Sequence, residues 1–247
     1  MLETHELSVR FGGHVAVDGV SCRFEAGTLT AIVGPNGAGK TTYFNLVSGQ
    51  LRASAGRVSL DGVDITAQGP AARTRRGIGR AFQLTQLFPG LPVRENLRLV
   101  LQSRARLGLN LWSVWRDHRA LLDDAQALLE QVRLAHQAEA LAGSLPHGDQ
   151  RKLEVAMLMA LQPRVFMFDE PTAGMSVDEV PVVLDLIRAL KARADCVILL
   201  VEHKMDVVRE LADRIVVLHN GRLVAEGDPE RVIAAPIVRQ AYLGLAA

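Results

Sequence analysis

The chain has 247 residues, of which 49% are hydrophobic and 22% charged, so it can bury a substantial core as one large domain or as a domain with an inserted subdomain. A formal net charge of +1 gives no overall electrostatic drive toward nucleic acid or a membrane surface. The N-terminal stretch MLETHELSVRF lacks the apolar region of a secretion signal, and no window of about 18 uninterrupted apolar residues occurs, so the chain is not expected to span a bilayer itself.

In chain order, LSVRF, VSCRF and LTAIVG are expected as strands, separated by turns at Gly12-Gly13 and Glu25 to Gly27. GRVSLDGVDI reads as a hairpin, because Asp61-Gly62 suits the positive φ values of a tight turn. The basic run RTRRGIGR, from Arg73 to Arg80, is the best candidate for a local basic patch, although such a run is more often simply a solvated, positively charged face. From about Val93 to Leu141 the spacing turns helical and β-branched residues thin out, which predicts a helical insertion. Within it Trp112 and Trp115 are expected as packing anchors. VFMFD (165–169) and CVILLV (196–201) are continuous apolar runs, as parallel strands buried on both faces require. The segment DEVPVVLDLIRALKARA between them predicts a helix and hence a βαβ unit. RIVVLHNGRLVAEG carries a second hairpin signal at Asn220-Gly221. Cys22 and Cys196, in apolar strand-like stretches, are expected as buried free thiols of a reducing compartment.

Chemistry is densest in LTAIVGPNGAGKTT. A strand runs into Gly34-Pro35-Asn36-Gly37-Ala38-Gly39-Lys40-Thr41-Thr42, and a helical pattern follows. The glycines allow a tight fold in which successive N–H groups point inward at phosphate oxygens, and the helix dipole adds to that field. Lys40 is placed to reach the β- and γ-phosphates, and the Thr41 hydroxyl to meet Mg²⁺. Alone, this motif leaves kinase, GTPase, motor and transporter ATPase open. Asp169 ends an apolar strand, where a metal-organising carboxylate belongs, and Glu170 follows it, placed to polarise an attacking water. That pair favours hydrolysis over transfer to an acceptor hydroxyl.

The order of motifs resembles the nucleotide-binding subunit of an ABC transporter over essentially the whole chain. Gln83 in RAFQ matches the family's Q-loop glutamine. LPHGDQ (Leu145, Pro146, His147, Gly148, Asp149, Gln150) stands in place of the signature that heads a helix before the Asp-Glu strand. Ser176 falls in the D-loop, His203 matches the switch histidine, and Phe11 matches the aromatic that stacks on adenine. The resemblance implies an α/β P-loop NTPase core with an N-terminal antiparallel β-subdomain. It also implies a helical subdomain inserted at about residues 90–155 of a single domain spanning 1–247.

It further implies a mechanism. A second ABC ATPase subunit, a paralogue or a second copy, would close head to tail on this one with ATP sandwiched between. Lys40 would hold phosphate, Glu170 act as general base and His203 contact the γ-phosphate, while Thr41, Asp169 and Gln83 organise Mg²⁺. The helical insertion and TQLFPGLPVREN would press on hydrophobic permease subunits, served indirectly by a periplasmic solute-binding protein. The chain would then sit at the cytoplasmic face of the inner membrane through those permeases, without nucleic-acid partners. RAFQLTQLFPGLPVRENL, the segment from Arg104 to His118 and the ending PIVRQAYLG resemble the larger ATPase of branched-chain amino acid importers. Urea importers and the lipopolysaccharide-export ATPase share much of that pattern. A soluble ABC-type ATPase acting on DNA or ribosomes is the contrasting class.

Four positions depart from the family's pattern. Pro146 has neither the hydroxyl nor the N–H of the family's signature serine, although proline suits a first helical turn. His147 replaces a glycine, and Asp149 brings a carboxylate to a helix N-terminus, where the dipole favours it. Ser176 replaces the D-loop's frequent aspartate.

Overall fold

A computed structural model describes residues 1–81, 87–105, 107 and 119–238. Gln83, Trp112, Trp115 and the stretches 108–118 and 239–247 lie outside the described residues. The strands are β1 (Leu2–Phe11), β2 (His14–Phe24), β3 (Leu29–Val33), β4 (Ala55–Leu60), β5 (Val63–Asp64), β6 (Ile78–Ala81), β7 (Val165–Asp169), β8 (Val197–Val201), β9 (Arg214–His219) and β10 (Arg222–Gly227). The helices are α1 (Lys40–Ser48), α2 (Pro70–Arg75), α3 (Val93–Arg104), α4 (Arg119–Gln131), α5 (His147–Leu161), α6 (Val180–Lys191), α7 (Met205–Leu211) and α8 (Pro229–Ala234). They divide into two compact units: Met1–Arg80 with Arg164–Glu170 and the described residues of Lys191–Ala247, and Ala81–Pro163 with Pro171–Leu190.

The first unit holds an antiparallel sheet in the order β2-β1-β4-β5 and a larger sheet in the order β10-β9-β3-β8-β7-β6. In the larger one β3 runs parallel to both β8 and β9, and β7 runs parallel to β8. Every residue of β3, β7 and β8 is buried, which is why those runs are apolar without alternation. The alternation is hidden in how neighbours divide between two cores. Ile32, Val216 and Leu218 join the core shared with Leu7, Phe24, Val58 and the α1 residues Tyr43 and Phe44. Ala31, Val33, Ile215 and Val217 face the other way, onto Val208 of α7 and Val232 of α8.

Both hairpin signals hold. Asp61 and Gly62 have φ 50° and 78°, and Asn220 and Gly221 have 49° and 76°, the paired positive values of a type I′ turn. Strands β1 and β2 extend beyond LSVRF and VSCRF. Register shifts from Thr4 to Leu7, with φ 46° at Glu6, break the period-2 pattern that would have revealed the first half of β1.

The arginine run departs from expectation. It is no uniform solvated face: Arg73 is 2% exposed, and the Arg80 side chain is 5% exposed. The Arg73 guanidinium donates to the carbonyls of Leu46, Val47, Thr66 and Gln68, closing the C-terminus of α1. Cys22 and Cys196 are free and buried.

The second unit contains α3, α4, α5 and most of α6. Asn96, fully buried on α3, accepts from the Phe88 N–H at 2.8 Å and donates to the carbonyls of Phe88 and Pro92, which folds the segment entering the helix. Arg104 ties the end of α3 to α5 by donating to the Ala160 carbonyl at 2.9 Å. Among the described residues no helix is long and apolar enough to cross a membrane.

Candidate functional site

Parallel register sets the site. Ile32 lies opposite Val201 and Asp169 opposite Val201, so β3, β8 and β7 end at one edge of the sheet. The residues just past those ends are Gly34, His203 and Glu170. A crevice at strand C-termini is where an open α/β sheet binds its ligands.

The loop from Gly34 to α1 is dictated by space. A Cβ on Gly34 (φ +154°) would lie 2.1 Å from the Leu218 carbonyl oxygen, and one on Gly39 (φ +95°) would lie 2.5 Å from that of Ala16. Only glycine lets the backbone pass so close to two neighbours. The turn of the β9-β10 hairpin supports the loop from beneath, with the Gly221 N–H donating to the Ala38 carbonyl at 3.0 Å. Gly39 caps α1 without a side-chain bond, and no acidic residue sits in its first turn. The positive helix end is therefore not countered from within its own first turn. Lys40 is buried, and its ammonium donates to the carbonyls of Gly34 and Pro35 at 2.7 and 2.9 Å. Burial pulls its pKa down, and Glu170 and Asp169 work in the opposite direction.

A cavity of about 450 Å³ opens over this loop, lined by Phe11, His14, Ala16, Asn36, Gly37, Ala38, Gly39, Lys40, Thr41, Thr42, Glu170 and His203. Phe11 ends β1 and is 50% exposed there, a large apolar surface left uncovered. Glu170, also lining the cavity, adopts φ 50°, an uncommon left-handed conformation for this residue, and its N–H donates to the Val201 carbonyl at 2.9 Å. Its carboxylate lies 2.7 Å from Nε2 of His203. His203 is held in turn by its own N–H, which donates to Glu202 at 3.0 Å.

Asp169 is buried at the end of β7 and pairs with the Arg80 guanidinium at 2.6 Å. Sequence reasoning missed Arg80. The available signal was a lone arginine in the short apolar strand IGRA, since a buried arginine demands partners. Which partners it takes is a tertiary fact.

The residues of LPHGDQ gather within the second unit. Pro146 stands at the N-cap, one position before the first helical turn expected for it, with φ −53° and ψ 153°. Its carbonyl accepts from the Gln150 N–H at 3.0 Å, and Gln150 Nε2 donates to the Leu145 carbonyl at 2.9 Å. Asp149 accepts from Lys152 and Gln137, both at 2.8 Å. Burial raises its pKa, but these two hydrogen bonds together with the nearby charges of Lys152 and His136 outweigh it, so it lies below the ordinary value. His147 lies against Gly174, where a Cβ would come 3.2 Å from its ring. Gly148 is covered by the Glu179 carboxylate, about 2.2 Å from where its Cβ would stand. Glu179 also accepts from the N–H and hydroxyl of Ser176, at 2.9 and 2.8 Å. Ser176 and Glu179 thus close the turn ahead of α6, through a hydroxyl donor that an aspartate would lack.

The structure therefore brings Phe11, the Gly34–Thr42 loop, Glu170 and His203 to one cavity. It puts Leu145 to Gln150 and Ser176 in the second unit, and Gln83 lies outside the described residues. The model of the ABC transporter family matches residues 17–173, well over half of the chain. The chain belongs to the ABC transporter family. It is 38% identical to the high-affinity branched-chain amino acid transport ATP-binding protein BraF of Pseudomonas aeruginosa, covering 99% of this chain and 98% of that one. It is 36% identical, with the same coverage, to the corresponding protein LivG of Escherichia coli. Among solved structures, an ATP-binding cassette of an ABC transporter in its ADP conformation matches with a TM-score of 0.83 at 30% identity, over 99% of both chains. The same scores link it to a nucleotide-free ATP-binding cassette from an ABC transporter. This ABC cassette has the P-loop ATPase fold and binds and hydrolyses ATP.

Proposed function

We propose that this cassette drives uptake of branched-chain amino acids through membrane permeases, as one of two ATPase subunits that close on ATP. Hydrolysis at this site is supported above all by one observation, the 2.7 Å contact between Glu170 and His203 on the wall of the cavity over the Lys40 loop. The solute class is supported by similarity over nearly the full length to BraF and LivG.

Phe11 would stack on adenine, while the N–H groups of residues 34–42 and the Lys40 ammonium grip the phosphates. Lys40 would give up its bonds to the Gly34 and Pro35 carbonyls for phosphate oxygens. Glu170 would take a proton from a water whose oxygen bonds to the γ-phosphorus. The bond from that phosphorus to the β–γ bridging oxygen breaks, leaving ADP and inorganic phosphate. His203 would hold the Glu170 carboxylate in line and contact the γ-phosphate.

The Thr41 hydroxyl and the Asp169 carboxylate are hard oxygen donors of the type Mg²⁺ accepts alongside substrate phosphates. Bound there, Mg²⁺ neutralises phosphate charge. Gln83 would complete its surroundings. The second subunit, a paralogue in this reading, would present its own signature turn to this loop, and this chain's Leu145–Gln150 turn would face the partner's ATP. Contact with permeases places the cassette peripherally on the cytoplasmic face of the membrane, with a periplasmic binding protein delivering solute.

The test is reconstitution with permeases and a solute-binding protein of a branched-chain amino acid importer. Leucine, isoleucine or valine is expected to stimulate ATP turnover and to accumulate in the vesicles. Stimulation by urea, or by no solute at all, would refute the assignment.

A further inference from the structure

Arg80 sits in the first unit, where it joins Asp169 to the helix that begins at Lys40. One terminal nitrogen donates to Asp169 at 2.6 Å. The other donates to Asn45 Oδ1 at 2.7 Å, Ser48 Oγ at 3.0 Å and Gln50 Oε1 at 3.2 Å. Its guanidinium lies over the Phe44 ring, 5.5 Å from the centroid. Phe44, Asn45 and Ser48 belong to α1, the helix that begins at Lys40 and Thr41. A single planar cation thus spans the helix that carries the loop lysine and the strand end that carries the aspartate.

We propose that Arg80 is a positioning residue for Mg²⁺-nucleotide binding: it fixes the Asp169 carboxylate against α1, so that Asp169 and Thr41 keep the spacing the metal needs. This rests on the reading of Asp169 as a metal-organising group. Two physical points favour a positioning role over simple structural support. The first is multiplicity. A buried ion pair alone is weak evidence for stability, but an arginine whose fork is shared among Asp169 of β7, Asn45 and Ser48 of α1, and Gln50 just beyond α1 fixes direction as well as charge. The second is placement. Asp169 is buried at the end of β7, one residue before the cavity-lining Glu170, so its orientation is set by a partner present before metal arrives. A lysine could supply the charge but not the planar fork.

The role makes a specific demand. Mg²⁺ strengthens nucleotide binding only if its protein donors are aligned. Removing Arg80 should therefore reduce the gain in affinity that Mg²⁺ brings, and leave metal-free nucleotide affinity, which depends on the loop and Phe11, almost untouched. The experiment is titration of the full chain with mant-ATP by fluorescence, in Mg²⁺ and in EDTA, for wild type, Arg80→Gln, Arg80→Lys and Asp169→Asn.

The expected result is that Arg80→Gln and Arg80→Lys both cut the ratio of the two affinities about 10-fold, a loss of ~1.4 kcal/mol. Their EDTA affinities should stay within about 3-fold of wild type. Asp169→Asn should lose the ratio as well. Should Arg80→Gln fail to fold, Asn45→Ala with Ser48→Ala keeps the Asp169 pair but removes both hydrogen bonds from Arg80 to α1, and is expected to cut the ratio in the same direction. An unchanged ratio in the folded Arg80 variants, or equal losses with and without Mg²⁺, overturns the inference. If Asp169→Asn itself leaves the ratio intact, it is the reading of Asp169 that fails instead.

Discussion

The Gly34–Thr41 loop and the Leu145–Gln150 turn each head a helix, α1 and α5, but they are assembled by different means. The loop is backbone throughout: glycines that pass within reach of the Leu218 and Ala16 carbonyls, and a lysine bonded to the loop's own oxygens. The turn is side chains: Asp149 between Lys152 and Gln137, Glu179 over Gly148, and His147 against Gly174. A site made of backbone tolerates almost no substitution but needs few partners. A site made of side chains can be rewritten, as Pro146 and His147 show, provided neighbours change with it.

The same change, glycine to alanine, should separate the two. Gly34→Ala sets a methyl group 2.1 Å from a backbone oxygen at φ +154°, and nothing there can move cheaply. ATP affinity is expected to fall about 100-fold, equivalent to ~2.7 kcal/mol, as read by equilibrium binding. Retention of wild-type affinity would mean that the loop is more pliant than its geometry implies.

Pro146→Ser comes next. It restores a hydroxyl and an N–H at the head of α5, and should tighten ATP at the site completed by this turn about 10-fold, the value of one charge-assisted hydrogen bond (~1.5 kcal/mol). Binding of ATP to the assembled pair of subunits tests it. No change would mean that His147 or water already supplies the contact.

Gly148→Ala pushes only the mobile end of Glu179. Loss of the Glu179 bonds to Ser176 costs ~1 kcal/mol, and replacing a helical glycine gains about as much. Thermal unfolding should therefore shift little, whereas a large drop would make Gly148 as constrained as Gly34. Smallest of all is the acid response of the turn. Asp149 is held below its ordinary value of 3.8, so its bonds contribute stability above that value and lose it as pH falls through the lower folded value. The stability advantage of wild type over Asp149→Asn should be present at neutral pH and vanish in strong acid. An advantage that grew on acidification would reverse the sign of this reasoning.

How much could be read from the chain follows the same division. The loop, the Asp169-Glu170 strand end, both type I′ hairpins and the buried parallel strands were legible, because each is written in local spacing or backbone demand. Arg80 and Arg73 were not. Their run reads as a charged surface, and only the folded chain supplies the α1 carbonyls, Asn45 and Asp169 that allow two arginines to be buried. The first half of β1 was hidden by its irregular register. The Ser176–Glu179 contact and the covering of Gly148 depend on packing within the second unit.

The central claim is that Glu170, set by His203, removes a proton from the water that cleaves ATP. Its most direct test is the nucleotide retained by Glu170→Gln after incubation with Mg²⁺, ATP and the partner subunit. The account predicts bound ATP rather than ADP, with phosphate release slowed by about 100-fold or more. Bound ADP and phosphate release at the wild-type rate would contradict it.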